Sequence, residues 1–179
     1  MNKKLVSIII PFFNRVSQVE KALKSAINQT YNNKEIILVN DGSTESIEII
    51  EEIVNKKPNI FLLKNKYNFG VSFSRNLAIK FSSGEFIAFL DSDDEWMNFK
   101  IQLQMDYISK NNINFNYTAY LRKYGKSSNF STVSVPKEYK MPFMAFSCKI
   151  ATPTVLFKKE LSENLKFNED IKYGEDLIY

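Results

Sequence analysis

Apolar residues along this chain come in short blocks separated by polar turns. Leu5 to Ile10 is a near-continuous apolar run closed by Pro11, the pattern of a strand buried on both faces. Ser17 and Glu20 have capping-box spacing, and Val19, Leu23, Ala26 and Ile27 line one face of a helix predicted to stop near Gln29. A second strand is predicted over Glu35 to Val39, after which Gly42-Ser43 turns the chain into a helix carrying Ile47, Ile50, Ile53 and Val54. Pro58-Asn59 introduces a third strand, Ile60 to Leu63, and Asn68-Phe69-Gly70 leads to a helix with Phe73, Leu77 and Ile79. Gly84 opens a fourth strand, Glu85 to Leu90. Strands and helices alternating at this spacing predict an α/β fold with a mostly parallel central sheet flanked by helices.

The rhythm changes after Trp96. A helix is predicted over Phe99 to Ser109 and a fifth strand over Asn112 to Tyr117. Lys123 to Asn129 is polar and turn-like, Phe130 to Val135 alternates weakly, and Pro136, Pro142 and Pro153 break up anything long. Short antiparallel strands and a helical turn fit this less regular, mixed C-terminal part.

Composition narrows the chemistry. At 179 residues with 44% apolar content, 15 Phe and 9 Tyr, the chain is one domain's worth of folded protein, and disorder is excluded. Leu5 to Phe13 and Phe86 to Leu90 are about half of what a bilayer requires, so neither a transmembrane segment nor a secretion signal is expected. One cysteine and no histidine remove disulfides, thiolate zinc sites and His-based catalysis. Cys148 reads as a buried thiol, and any metal should be a hard ion, Mg2+ or Mn2+, on carboxylates. The net charge of +4 comes from scattered lysines, a poor match for nucleic-acid recognition, although a mild basic bias allows peripheral contact with an anionic membrane face.

Carboxylates cluster where apolar strands run out. Asp91 and Asp93 point the same way in an extended segment and repel one another unless a cation lies between them. Asp94 and Glu95 either join them or cap the next helix. Asp41, at the end of the second strand, can accept hydrogen bonds from a base or ribose, or close an Asx-turn. Arg75 can neutralise phosphate or pack over a base. There is no Gly-Lys-Ser/Thr after Gly70 and no Gly-x-Gly-x-x-Gly after the first strand, so ATP hydrolysis and dinucleotide binding lose their usual signatures. Glu175-Asp176, after Gly174, is by itself an ordinary acidic helix start.

Five segments taken in order are more specific: Val6 to Asn14, Glu35 to Ser43, Asn68-Phe69-Gly70 with Ser74-Arg75-Asn76, Gly84 to Asp94, and Gly174-Glu175-Asp176. Together they closely resemble the family 2 glycosyltransferases of GT-A fold, over nearly the whole chain. The resemblance implies inverting transfer from a nucleoside-diphosphate sugar, commonly a UDP-sugar, to a glycan, lipid-linked or other hydroxyl acceptor. It implies that Pro11 and Phe13 border the nucleotide, Asp41 binds uracil, Arg75 assists at the nucleotide and Asp91 contacts the ribose or sugar. Asp93 would ligate the Mn2+ or Mg2+ on the diphosphate, and Asp176 would be the general base. Residues 1–96 would form the nucleotide-sugar-binding half of one domain and 97–179 the acceptor side. A bacterial surface-polysaccharide or lipopolysaccharide setting follows, in the cytoplasm at the inner face of the membrane.

Members of that family ordinarily continue past the Glu-Asp with a helix and a lid or acceptor region, so the resemblance implies a chain cut short at Tyr179. Two other readings stay open: a shortened domain that binds or only hydrolyses the donor, and a sugar-nucleotidyltransferase. The latter normally carries a Gly-rich loop with Arg and Lys after the first strand, which is missing here.

Overall fold

The computed structural model of the chain describes residues 3–123, 129–137, 149–163 and 166–170. Pro142, Cys148 and the Gly174-Glu175-Asp176 motif lie outside the described residues. Strands β1 (Val6–Phe12), β2 (Lys34–Asn40), β3 (Ile60–Lys64) and β4 (Phe86–Phe89) run parallel in the order β3-β2-β1-β4. All of β1 and all of β2 except Lys34 are buried, as unbroken apolar runs require.

Side-chain alternation decides which helix each strand residue meets. Ile8, Ile10, Ile36 and Leu38 face one layer, where Leu23 and Ala26 of α1 (Val16–Ile27), Ile50 of α2 (Glu48–Asn55) and Ile101 and Met105 of α4 (Lys100–Asn111) complete the core. Ile9, Ile37, Val39 and Phe89 face the other, against Ala78 of α3 (Val71–Phe81) and Phe167. The sheet therefore has helices on both sides.

The C-terminal part joins the same sheet. β5 (Phe115–Asn116) is followed by an isolated antiparallel hairpin, β6 (Tyr120–Lys123) with β7 (Phe130–Val133). A 3-10 turn at Thr152–Thr154 then delivers β8 (Leu156–Lys158), which inserts antiparallel between β4 and β5 and gives a six-stranded sheet.

Three local expectations need correction. The Ser17–Glu20 capping box does not form: α1 starts at Val16, Arg15 occupies the cap position in the left-handed region, and Glu45 from the β2–α2 loop accepts the Val16 amide at 3.3 Å. Helix α2 begins only at Glu48, because the intervening loop is held by Asn14. The fifth strand shrinks to Phe115–Asn116, since Asn112 closes α4 at φ 51.

Two buried polar features fix the sheet's flanks. At the N-terminal end of the sheet, Glu35 Oε1 accepts from Ser7 Oγ (2.5 Å), the Ser83 amide (2.6 Å) and the Gly84 amide (3.1 Å), joining β1, β2 and the entry to β4. At the start of α4, buried Lys100 donates to Gln104 Oε1 at 2.6 Å and its Nζ lies 4.1 Å from the centroid of Trp96. Burial pushes its pKa down from 10.5 to about 7. Gln104 in turn donates to Thr154 O and Asn116 Oδ1, tying α4 to the C-terminal strands.

Candidate functional site

Parallel strands that share a direction deliver their following loops to one edge, where ligands of open α/β sheets bind. Here those loops are the segments after β1, β2, β3 and β4, and they are bonded to one another.

Asp41 follows β2 and is buried, with 4% exposure. It does not close the Asx-turn into α2. Asn40 does that, its Oδ1 accepting from the Ser43 amide at 2.8 Å. The Asp41 carboxylate instead holds the β3–α3 loop: Oδ1 accepts from Asn65 Nδ2 (2.7 Å) and the Phe69 amide (3.1 Å), and Oδ2 from the Gly70 amide (2.8 Å). Gly42 makes the approach possible: at φ +75 it packs so closely on the loop that a Cβ would meet the Tyr67 carbonyl carbon at 2.5 Å. Asn65 Nδ2 also reaches Ser74 Oγ at 3.3 Å, linking Asp41 to the turn of α3 that carries Arg75.

Arg75 is 3% exposed and donates from Nη2 to Asp91 Oδ1 at 2.9 Å. Its guanidinium also lies 5.8 Å from the ring of Phe89 and 5.0 Å from that of Phe167. Neighbouring Asn76 grips the segment after β8: it donates to Phe167 O (2.9 Å) and Glu169 Oε1 (2.8 Å) and accepts from the Phe167 amide (3.1 Å). Helix α3 thus fastens the stretch of chain that leads toward Asp176, which itself lies outside the described residues.

Asp93 and Asp94 sit in the turn after β4, where the Asp94 amide donates to Asp91 O at 3.1 Å. Partial burial, then the charges of Asp91 and Asp93, push the Asp94 carboxyl up to about 6. Neither Asp94 nor Glu95 caps α4, which starts five residues later. Gln29 performs that task, accepting the Ile101 amide at 3.0 Å and donating to Met97 O at 2.8 Å. Asp93 Oδ2 faces Arg15 Nη1 at 3.3 Å.

The loop after β1 completes the edge. Pro11 is buried in β1 opposite Val39, whereas Phe13 is 42% exposed at the rim. Asn14 and Arg15 both take positive φ, 55 and 57. The Asn14 amide donates to Ser43 Oγ at 2.7 Å, and its Oδ1 accepts from the Thr44 and Glu45 amides at 2.9 and 3.2 Å.

The structure therefore joins Arg75 to Asp91 directly and Asp41 to the same helix through Asn65. Sequence reasoning missed the parts played by Asn14, Arg15 and Asn65, because their partners lie 9 to 78 positions away. The carboxylates of Asp91, Asp93 and Asp94 offer only oxygen donors, the kind a hard cation takes. Among the described residues no three acidic, His or Cys side chains converge.

Comparison with known proteins gives consistent results. The family model described as Glycosyl transferase family 2 matches residues 7–165. The chain is 36% identical over 167 residues to an Escherichia coli protein named UDP-Glc:alpha-D-GlcNAc-diphosphoundecaprenol beta-1,3-glucosyltransferase WfaP, covering 92% of this chain and 64% of that one. The crystal structure of S. aureus TarS 1-349 in complex with UDP superposes with a TM-score of 0.77 at 24% identity, over 96% of this chain and 52% of that one. The mannosyltransferase PcManGT from Pyrobaculum calidifontis, in complex with GDP-Man and Mn2+, gives 0.72 at 18% identity, over 96% of this chain and 49% of that one. Both likenesses show a shared GT-A fold. The chain spans only 25–29% of the length of the matching Rickettsia proteins.

Proposed function

Because the chain belongs to glycosyl transferase family 2, we propose that it transfers a sugar from a nucleoside-diphosphate sugar, in the first instance a UDP-sugar, to an acceptor hydroxyl with inversion. The observation that supports the reading is that Asp41, Asp91 and Asp93 lie on loops at one edge of the parallel sheet, with Arg75 of α3 paired to Asp91. Residues 1–96 would hold the donor and residues 97–179 the acceptor side.

Asp41 has two oxygens, about four acceptor positions in all, and three protein donors. One position is left for the N–H of a uracil ring, bordered by Pro11 and Phe13. Arg75 would assist at the nucleotide and orient Asp91 toward the ribose or sugar. Asp93 would hold Mg2+ or Mn2+, which when bound stabilises charge on the departing diphosphate as a Lewis acid. Asp176 would take the proton of the incoming hydroxyl, help worth about 10² to 10⁴ in rate. A single displacement, with the base opposite the leaving group, inverts the anomeric carbon.

The name of the E. coli relative supports a lipid-linked acceptor. Among the described residues no helix is long and apolar enough to cross a membrane. A lipid-linked acceptor would be met at the inner face of the membrane.

The test is UDP release from UDP-glucose and UDP-GlcNAc with Mn2+, with and without an undecaprenyl-diphosphate-linked sugar. Expected is release that Asp93→Ala abolishes and a distant Lys56→Ala leaves intact, with a product of inverted configuration by NMR. Formation of an activated sugar and free diphosphate would instead identify a nucleotidyltransferase, and UDP-sugar binding without any turnover a binding domain.

A further inference from the structure

Arg15 is held more elaborately than a helix start requires. It is the second of two consecutive non-glycine residues in the left-handed region, a conformation that persists only where surroundings over-determine it. Ser43, Thr44 and Glu45 supply that constraint through Asn14, and Glu45 also takes the Val16 amide. The outcome is that a side chain from the end of β1 is carried across to the loop after β4, with Arg15 Nη1 3.3 Å from Asp93 Oδ2. Both partners are about half exposed, at 61% and 49%, so the pair is open to exchange.

Building on the reading of Asp93 as the metal-bearing carboxylate, we propose that Arg15 is the internal counter-ion of Asp93. Its guanidinium occupies the carboxylate while no donor is bound and yields it to the divalent cation when the diphosphate arrives. The two cations oppose one another, because a guanidinium on Asp93 Oδ2 stands in the way of coordination through both oxygens and repels the metal's charge. A free metal ion must therefore displace Arg15 with no compensation. A metal arriving with a diphosphate brings negative oxygens, to which a guanidinium pairs well. Metal and donor would thus bind cooperatively, and Arg15 is a positioning residue whose effect is read in metal affinity.

The experiment measures Mn2+ binding from the electron paramagnetic resonance signal of the free ion, with and without UDP, for the wild type, Arg15→Gln, Arg15→Lys, Asp93→Asn and the Arg15→Gln/Asp93→Asn double variant. Circular dichroism melting checks the fold of each. Expected is that Arg15→Gln binds Mn2+ alone about three- to tenfold more tightly than wild type, that Arg15→Lys returns toward wild type, and that the gain vanishes without Asp93. With UDP present the difference narrows. Equal or weaker Mn2+ binding by Arg15→Gln, in a protein where Asp93→Asn does weaken it, overturns the counter-ion role and leaves the metal assignment standing. If Asp93→Asn changes nothing in any background, the metal assignment itself fails, and the proposal with it.

Discussion

Replacing Lys100 by methionine, a side chain of similar length, tests how firmly α4 is seated. In the folded protein the ammonium is buried against Trp96 and Gln104, and its pKa falls from 10.5 to about 7. At 1.36 kcal/mol per pH unit this corresponds to about 5 kcal/mol of disfavoured charge. Below pH 7 both folded and unfolded chains carry the proton, so the penalty is present in full. Between about 7 and 10.5 the unfolded chain still holds the proton that the folded one has lost, so stability rises with pH at about 1.4 kcal/mol per unit. Methionine removes that slope. The Lys100→Met protein would lose the ring contact, about 2 kcal/mol, and leave Gln104 Oε1 without its donor, about 1–3 kcal/mol. The unpaired Gln104 acceptor shifts the comparison by a constant, whereas the cation–ring contact goes with the ammonium and is already contained in the displaced titration. Urea unfolding at pH 6, 7, 8 and 9 should therefore show wild type gaining about 2–3 kcal/mol on Lys100→Met between pH 7 and 9, with little change between 6 and 7. A difference that stays constant over the whole range would refute a displaced Lys100 titration.

Other substitutions probe the joints between elements. Gly84→Ala would place a Cβ 2.6 Å from the Ser7 amide nitrogen and disturb the Glu35 cluster, lowering stability by about 3 kcal/mol in urea unfolding. Arg75→Met should cost about 2–3 kcal/mol, because Asp91 loses a buried partner, and should weaken UDP binding by calorimetry. Asn76→Ala removes three hydrogen bonds to the Phe167–Glu169 segment, and cleavage there in limited proteolysis should accelerate about tenfold while global stability falls by only about 1–2 kcal/mol.

The parallel strands were readable in sequence because burial on both faces demands unbroken apolar runs such as Ile8 to Ile10 and Ile36 to Val39. The acidic residues at strand ends were readable for the same reason, being abrupt polar stops. What periodicity leaves open is anything settled between loops. Ser17 and Glu20 have the spacing of a capping box, yet Glu45, from another loop, takes the helix amide because Asn14 draws the two loops together. Asp41 looked equally suited to a local turn. Whether it turns locally or reaches the β3–α3 loop depends on Gly42 admitting the Tyr67 backbone, a contact across the fold. Likewise Asp94 and Glu95 have the composition of a helix cap, but α4 is displaced to Lys100, where Gln29 from the loop after α1 serves it.

The antiparallel seat of β8 has a mechanical consequence. Because its backbone bonds to β4 on one side and β5 on the other, the β5 and β8 segments share one continuous ladder with the strands that lead to Asp41 and Asp91. Swinging those segments away as a rigid flap would mean unzipping a sheet interior. Among the described residues the β6–β7 hairpin, paired only with itself, is the piece that can shift and leave the six-stranded ladder whole.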